Sequence, residues 1–429
     1  MNIVNPILII SLIISTLVGQ QSFEDFKRQQ EKAFDDFKAS VNDEYVLFRS
    51  NEEADFKRFK EDVERQWQEF KGSTAKVYVS YDDDLASRAS IDYDAGEVIV
   101  EVIMDDEDLD SGLMDDREGM TSDRLAYNGH YPSGGSMFLL NSFLAPLIPQ
   151  TADHVYNELS QNKADPVLQK LADTRLFKKL VKFLSEKDDS GDLILEDQIS
   201  DSNGGLVKTN DDMKEFAVEK VKNTTKGMKE YLGRDGKKRK SFSLKFSLRS
   251  DHKNVRSNKY GKQILKQSKR FDIDPAIAMA VTETESSFNP KATSHIPAYG
   301  LMQLVPSSGA RDAYQYVYGK DKFLGKRYLY KPNNNIELGC AYLGKIRHQY
   351  FKGVRDDEKA FMCTVAAYNT GAGNVSRALT NTTKLSPAIK RVNNMSSIEL
   401  YKTLLRDLEH EETRNYLKKV WERKEKYRS

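Results

Sequence analysis

The sequence predicts an α+β chain: a long N-terminal helix, then a small α+β domain, then a mainly α C-terminal domain. Three observations carry this. Aromatic residues recur every eleven positions from Phe23 to Phe70, period-two alternation marks Ser90 to Ile103 and Ser241 to Leu248, and helical periodicity dominates from about Arg256 onward. The expected divisions are an apolar segment over 1–19, a repeat helix over 20–72, an α+β domain over 73–250 and a helical domain over 256–429. A chain of 429 residues fits roughly two or three domains and buries a core without disulfide staples.

The first element is the apolar run Ile7 to Val18, interrupted only by serines and a threonine. It is short for the roughly 20 residues of a spanning helix and is read as the apolar region of an export signal. No Lys or Arg precedes Lys27, and Leu17 is a poor residue three before a cut after Gly19, so a retained N-terminal anchor stands beside cleaved export. In either case the expected location is outside the cytoplasm: the periplasm, with attachment to the outer membrane or by the uncleaved N-terminus as options.

Next comes the repeat. Phe23, Phe34, Tyr45, Phe56 and Trp67 form one register and Phe26, Phe37, Phe48, Phe59 and Phe70 a second. Eleven residues close about three turns, so both registers stay on one stripe of a nearly straight helix. No Pro or Gly interrupts the run before Gly72. One continuous helix from Phe23 to Phe70 is expected, as a spacer, a self-associating surface, or a stripe packed on residues 73–250 or a membrane surface.

Beyond Gly72, Ser90 to Ile103 alternates about Asp94-Ala95-Gly96 as a β-hairpin does, and the acidic stretch Asp105 to Arg124 reads as an exposed loop. Helices are expected at Met137–Leu147, Pro166–Leu184 and Lys214–Leu232, with a strand and turn over Leu193 to Val207. Asp188 to Ile199 lacks the Gly and Glu that a calcium loop needs at its sixth and twelfth positions. Gly236 to Lys240 reads as a solvated basic hairpin tip before the strand Ser241 to Leu248, and no nucleic-acid partner is expected.

Charge divides along the chain. Residues 251–429 hold 32 Lys+Arg against 18 Asp+Glu, and residues 1–250 hold 34 against 47. A basic C-terminal part suits a polyanionic partner. The six histidines show no ligand spacing, so neither a metal nor a cofactor is expected, and Cys340 and Cys363, each within an apolar helical pattern, read as buried thiols.

The chemistry-bearing segment begins at Asp274-Pro275, a helix start with proline at the first position. Ile277, Ala280, Val281, Thr284 and Phe288 share one face, with Glu285 at its edge beside Val281 and Glu283 pointing away. Glu285 is therefore expected to be the more desolvated carboxyl, and a desolvated Glu keeps its proton to higher pH and can act as a general acid.

Four ordered blocks follow: Glu285-Ser286-Ser287-Phe288-Asn289-Pro290 with Ala292 and Ser294; Gly300-Leu301-Met302-Gln303; Asn335-Ile336 with Gly339, Tyr342 and Leu343; and Ala367-Tyr368-Asn369 with Gly371-Ala372-Gly373. Together they resemble the lytic transglycosylase domain of the lysozyme superfamily, related to goose-type lysozymes, over about Tyr260 to Tyr427. Weaker similarity in the hairpin and in Ser241 to Leu248 is to the N-terminal domain of the membrane-bound C type of this family. The resemblance implies a lysozyme-like fold and cleavage of peptidoglycan strands between N-acetylmuramic acid and N-acetylglucosamine. In that reaction Glu285 protonates the glycosidic oxygen and then takes the proton of the muramyl C6 hydroxyl, leaving a 1,6-anhydro end without consuming water.

The resemblance also implies substrate contacts: Ser294 near the N-acetyl group, Gln303 in the Gly-Leu-Met-Gln loop, Tyr342 in the cleft, and Tyr368 with Asn369 beside the acid. Met302 is carried as a substrate-binding candidate although, like Leu301, it reads first as core. The motif blocks hold no second carboxylate, which fits a substrate-assisted reaction rather than a two-carboxylate one, with Asp312 the nearest acid that could reach in. The alternatives are a hydrolase on the same fold and a non-catalytic peptidoglycan-binding scaffold. The C type carries a lipid-bearing cysteine after its signal, and this chain has no cysteine before Cys340, so lipid attachment is not expected.

Overall fold

The computed structural model describes residues 46–47, 49–105, 166–294 and 297–428. The apolar run Ile7 to Val18, the repeats before residue 46, most of the acidic stretch and the expected helix Met137–Leu147 lie outside the described residues. The chain divides into two compact units, one of residues 62–259 with Ser287–Ala292, the other of 1–61, 260–286 and 293–429.

Helix α1 covers 49–66 and ends at Gln66, so the continuous helix expected to reach Phe70 is cut short. The reason lies in the tertiary structure. Trp67 leaves the helix to bury its ring with Val63 and Ile103, and its Nε1 donates to the Leu85 carbonyl at 2.6 Å. Arg88 stacks on that ring at 3.9 Å while its guanidinium pairs with Glu101 at 2.8 and 3.1 Å. Phe56 and Phe59, from the same registers, stay exposed. The last repeat is thus built into a domain rather than into a stripe.

In the 62–259 unit, strands β1 (Val77–Tyr81), β2 (Ser87–Asp92), β3 (Glu97–Asp105), β4 (Gly227–Leu232) and β5 (Lys238–Ser247) form an antiparallel sheet in the order β1-β2-β3-β5-β4. The expected hairpin is β2–β3, turned at Gly96 with φ 69°. Alternation sends Val98, Val100 and Val102 to one face, where they bury against Leu168, Leu176, Leu180 and Phe183 of α2 (Pro166–Leu184) and Phe216 of α3 (Asn210–Asn223).

Two expectations fail in this unit. The helix expected over Lys214–Leu232 stops at Asn223, because Thr224 adopts extended backbone and Gly227–Leu232 pairs with β5 as an exposed edge strand without inward alternation. The strand expected over Leu193 to Val207 is replaced by two copies of one tight loop, thirteen residues apart. Asp188 N donates to Asp192 O at 2.8 Å as Asp201 N does to Gly205 O at 2.9 Å. Each aspartate's Oδ1 caps two backbone N–H groups of its own loop, and Gly191 and Gly204 supply φ of 93° and 85°.

The second unit is helical. Helix α4 (His252–Arg270) leads into α5 (Pro275–Ser286), α6 (Gly309–Tyr318), the short α7 (Lys326–Leu329) and α8 (Pro332–Lys345), which passes into a π-helical turn, Ile346–Tyr350. Helices α9 (Asp357–Thr370), α10 (Ala372–Thr380), α11 (Leu385–Asn393), α12 (Ser397–Asp407) and α13 (Glu411–Lys426) complete it. Cys340 and Cys363 are free buried thiols, each pushed up to about 12 by burial. No described helix is long and apolar enough to cross a membrane.

Candidate active site

Helix α5 starts where its sequence says it should. Asp274 Oδ1 accepts the Ala276 N–H at 2.8 Å and Pro275 opens the first turn. Ala276, Ile277, Ala278, Ala280, Val281 and Thr282 are all buried, so the helix is enclosed on nearly every side. That overturns the expected ranking of its two carboxylates. Glu283 is the more buried, at 9 % exposure, and Glu285 is half-buried.

What separates the two acids is their company. Helix α13 and the residue beyond it bring Tyr427, whose hydroxyl donates to Glu283 at 2.7 Å, and Lys426, whose Nζ lies 3.3 Å from the same carboxylate. Glu283 is thereby occupied by two partners of its own. Glu285 instead stands beside two phenols. Tyr368 and the buried Tyr416 both have their ionisation raised well above the ordinary tyrosine value, first by burial and next by the Glu285 carboxylate. The Tyr416 hydroxyl is enclosed without a hydrogen bond of regular geometry. Tyr368 and Tyr416 thus stay protonated hydroxyls beside a half-buried carboxyl, a setting that suits an acid that donates and retakes a proton.

The Gly300-Leu301-Met302-Gln303 segment is a tight turn, with φ of 77° at Gly300 and 45° at Gln303. A Cβ on Gly300 would lie 2.4 Å from Asn335 Nδ2 and 2.5 Å from Leu329 O, so only glycine fits. Asn335, wholly buried on α8, explains the close approach. Its Oδ1 accepts the Met302 N–H at 2.7 Å, and its Nδ2 donates to Tyr299 O at 2.7 Å and Leu329 O at 2.8 Å. The turn is tied to α5 through Ser286 Oγ, which donates to Leu301 O at 2.7 Å, and to α9 through Tyr368, whose hydroxyl donates to Met302 O at 2.7 Å. The acid and the turn thus share their supports.

The sequence-predicted contacts divide by what their side chains touch. The Met302 side chain is wholly buried against Gly339, where an added Cβ would lie 2.2 Å from its sulfur, so it packs as core, while its carbonyl accepts the Tyr368 hydroxyl. Gln303 Nε2 donates to Gly300 O at 3.0 Å, and its enclosed Oε1 accepts nothing. Tyr342 and Tyr368 rings lie 5.3 Å apart at 56°, and the Tyr342 hydroxyl is raised by burial and then by Asp312 and Tyr350. Ser294 Oγ accepts the Ala298 N–H at 3.2 Å. Asn369 Oδ1 accepts the Thr413 hydroxyl at 2.7 Å.

Asp312, the acid that might have reached in, pairs with Lys345 at 3.1 Å and accepts from Tyr350 at 3.3 Å. Among the described residues no group of three His, Cys, Asp or Glu is placed to hold a metal ion.

Residues that sequence reasoning passed over come chiefly from α13: Thr413, Tyr416 and Tyr427. The available signal was Thr413 and Tyr416, three residues apart, heading the buried stripe that continues through Leu417 and Val420.

Parts of the chain match known proteins. Residues 262–389 match the family described as Transglycosylase SLT domain, and residues 41–113 match the N-terminal domain of membrane-bound lytic murein transglycosylase C. Proteins of that name from Haemophilus influenzae (strain PittEE) and Sodalis glossinidius (strain morsitans) are 37% identical over 179 residues and 35% identical over 190 residues. These matches cover 42% and 44% of this chain, and 49% and 52% of the relatives, so the chain spans about half the length of the curated relatives it matches. Among solved structures, the lytic transglycosylase Slt of Pseudomonas aeruginosa matches at 28% identity with a TM-score of 0.30, covering 39% of this chain and 23% of that one. Residues 262–389 are thus similar to a transglycosylase SLT domain, and residues 41–113 to the segment found at the N-terminus of membrane-bound lytic murein transglycosylase C.

Proposed function

We propose that this chain is a peptidoglycan lytic transglycosylase that cuts the β-1,4 bond between N-acetylmuramic acid and N-acetylglucosamine and leaves a 1,6-anhydromuramic end. The observation that carries the reading is the single carboxyl of Glu285 set against Tyr368 and Tyr416, while the other nearby acids are committed elsewhere: Glu283 to Lys426 and Tyr427, Asp312 to Lys345 and Tyr350. A two-carboxylate glycosidase places its second acid across the scissile bond, and an arrangement with one acid suits a reaction in which the substrate supplies its own nucleophile. Glu285 gives its proton to the leaving oxygen and then, as carboxylate, accepts the proton of the C6 hydroxyl as that oxygen closes on C1.

Gln303, Ser294, Tyr342, Tyr368 and Asn369 line the substrate path in this reading, and the basic C-terminal half favours the anionic polymer. The name shared by the relatives supports an envelope location, reached by export and kept either free in the periplasm or held by the N-terminus. Self-association through the aromatic repeat belongs to the same proposal.

The test is digestion of purified sacculi followed by mass spectrometry of the muropeptides, whose anhydro products weigh one water less than those of a hydrolase. Glu285→Gln keeps shape but cannot donate, and should lower turnover by ~10²–10⁴-fold with folding and sacculus pelleting intact. Hydrated ends instead of anhydro ends would make the enzyme a lysozyme-type hydrolase. Near-normal activity in Glu285→Gln with loss in Glu283→Gln would move the acid to Glu283.

A further inference from the structure

We propose that Arg256 is a positioning residue for Glu285, clamping the turn directly after the acid. The proposal rests on the transglycosylase reading of Glu285. Ser287 begins only two residues beyond it, and the segment Ser287–Ala292 packs as part of the unit formed by residues 62–259.

Arg256 is 2 % exposed, and its guanidinium collects acceptors from four places. Nε donates to Ser287 O at 3.0 Å, Nη1 to Gln198 Oε1 at 2.6 Å and to His252 Nδ1 at 2.9 Å, and Nη2 to Tyr93 O at 2.7 Å. The guanidinium also lies 4.8 Å from the centre of the Tyr93 ring, a buried cation–π contact. A planar fork satisfied in this way has little freedom left, and it fixes the Ser287 carbonyl to the end of the β2–β3 hairpin and to the Gln198 loop.

Side chains complete the grip. Ser287 Oγ donates to Asp94 Oδ1 at 3.0 Å, and Asp94 is itself held by Lys76 at 3.0 Å and Lys253 at 3.5 Å. Asn289 Nδ2 donates to Ala75 O at 3.3 Å, and Lys291 pairs with Asp189 at 2.6 Å. The held backbone is one the chain would not choose: Ser287 and Phe288 sit at φ 51° and 60°, left-handed values rare for residues with a Cβ. Two consecutive residues there persist only if their surroundings over-determine them. Immediately before them, Ser286 is fixed by Thr282 O at 3.1 Å and Leu301 O at 2.7 Å. Loosening the turn lets the end of α5, and the Glu285 carboxyl on it, drift from the glycosidic oxygen.

The full chain is tested in four forms: wild type, Ser287→Ala, Arg256→Lys, and Arg256→Lys combined with Ser287→Gly. Anhydro-muropeptide release gives kcat and KM, and thermal unfolding is followed in parallel. Ser287→Ala and Arg256→Lys should lower kcat by ~10–100-fold, the usual effect of a small misplacement, with KM unchanged. Glycine at 287 adopts the left-handed backbone without a steric cost but also gives up the Oγ–Asp94 bond, so the double variant should fall no lower than Arg256→Lys alone, the relieved strain offsetting the lost bond. A merely structural role would lower the unfolding midpoint without splitting kcat from KM, and glycine would worsen it. Should Arg256→Lys not fold, Ser287→Ala and Ser287→Gly are compared alone, with glycine expected to be the more active. Active wild type with all variants within twofold of it overturns the clamp, as does a rise in KM at constant kcat. Wild type that releases no anhydro products overturns the functional reading first, and the clamp with it.

Discussion

Asn335→Leu should cost a large part of the stability of the catalytic unit and most of its activity. The side chain is wholly buried and serves three backbone groups of the Gly300 turn and its neighbour α7. Leucine has the same number of side-chain heavy atoms and the same branching but is bulkier, so no cavity is left, and some overpacking adds to the lost hydrogen bonding. The Tyr299 carbonyl keeps a second donor, Leu304 N at 3.1 Å, and is only weakened. The Met302 N–H is left enclosed without the Asn335 acceptor and the Leu329 carbonyl without the Asn335 donor. At about 1–3 kcal/mol for each buried group stripped of its partner, the cost is about 2–6 kcal/mol, against roughly 5–15 kcal/mol for a whole domain. Urea unfolding should show a lower midpoint with an unchanged slope. Turnover should fall further than the folded fraction explains, because the same turn holds Tyr368 and Ser286.

Asn335→Asp sharpens the test. One carboxylate oxygen can still accept from Met302, but the other would face the Tyr299 and Leu329 carbonyls. Burial and those two dipoles would raise the folded pKa above the unfolded value of about 3.9. A raised carboxyl pKa makes the protonated form the favoured one, so this variant is closest to wild type below about pH 4 and loses ground as pH rises. Asn335→Leu within about 0.5 kcal/mol of wild type, or an aspartate variant with no such pH trend, would refute the reasoning.

Two further predictions follow from the same kind of accounting. His252 is held neutral, its pKa lowered to about 4 by burial, then by Arg256 and Lys253, so the stability it contributes is complete above its unfolded value of about 6.5 and is lost as pH falls toward 4; His252→Gln should flatten that part of the unfolding midpoint's pH profile, and parallel profiles would refute it. Tyr416→Phe removes an enclosed hydroxyl beside Glu285 and should lower kcat by about tenfold, the ~1.4 kcal/mol of one weak charged hydrogen bond, with a smaller effect on the unfolding midpoint; unchanged kcat would refute it.

How much of this was legible in the sequence depended on how far apart the deciding residues stand. The β2–β3 hairpin and α2 were readable because turn residues and periodicity act over a few positions. The edge strand β4 was not, since it lacks inward alternation and owes its form to pairing with β5. The same distinction governs the site. The four motif blocks singled out Glu285, but the helical-face argument offered for its desolvation failed, because α5 is enclosed nearly all round and Glu283 is the more buried of the two. What sets the acids apart is Tyr427 reaching Glu283 across 144 positions, with Tyr416 beside Glu285 from the same end of the chain. Thr413 fixes Asn369 across 44 positions and Arg256 fixes the Ser287 carbonyl across 31. Local pattern therefore singles out Glu285 as the candidate acid, whereas the surroundings of that carboxyl are supplied by residues whose own sequence neighbourhoods are ordinary helix. A variant at Tyr416 or Arg256 would accordingly look neutral to any reading of local sequence and still change turnover.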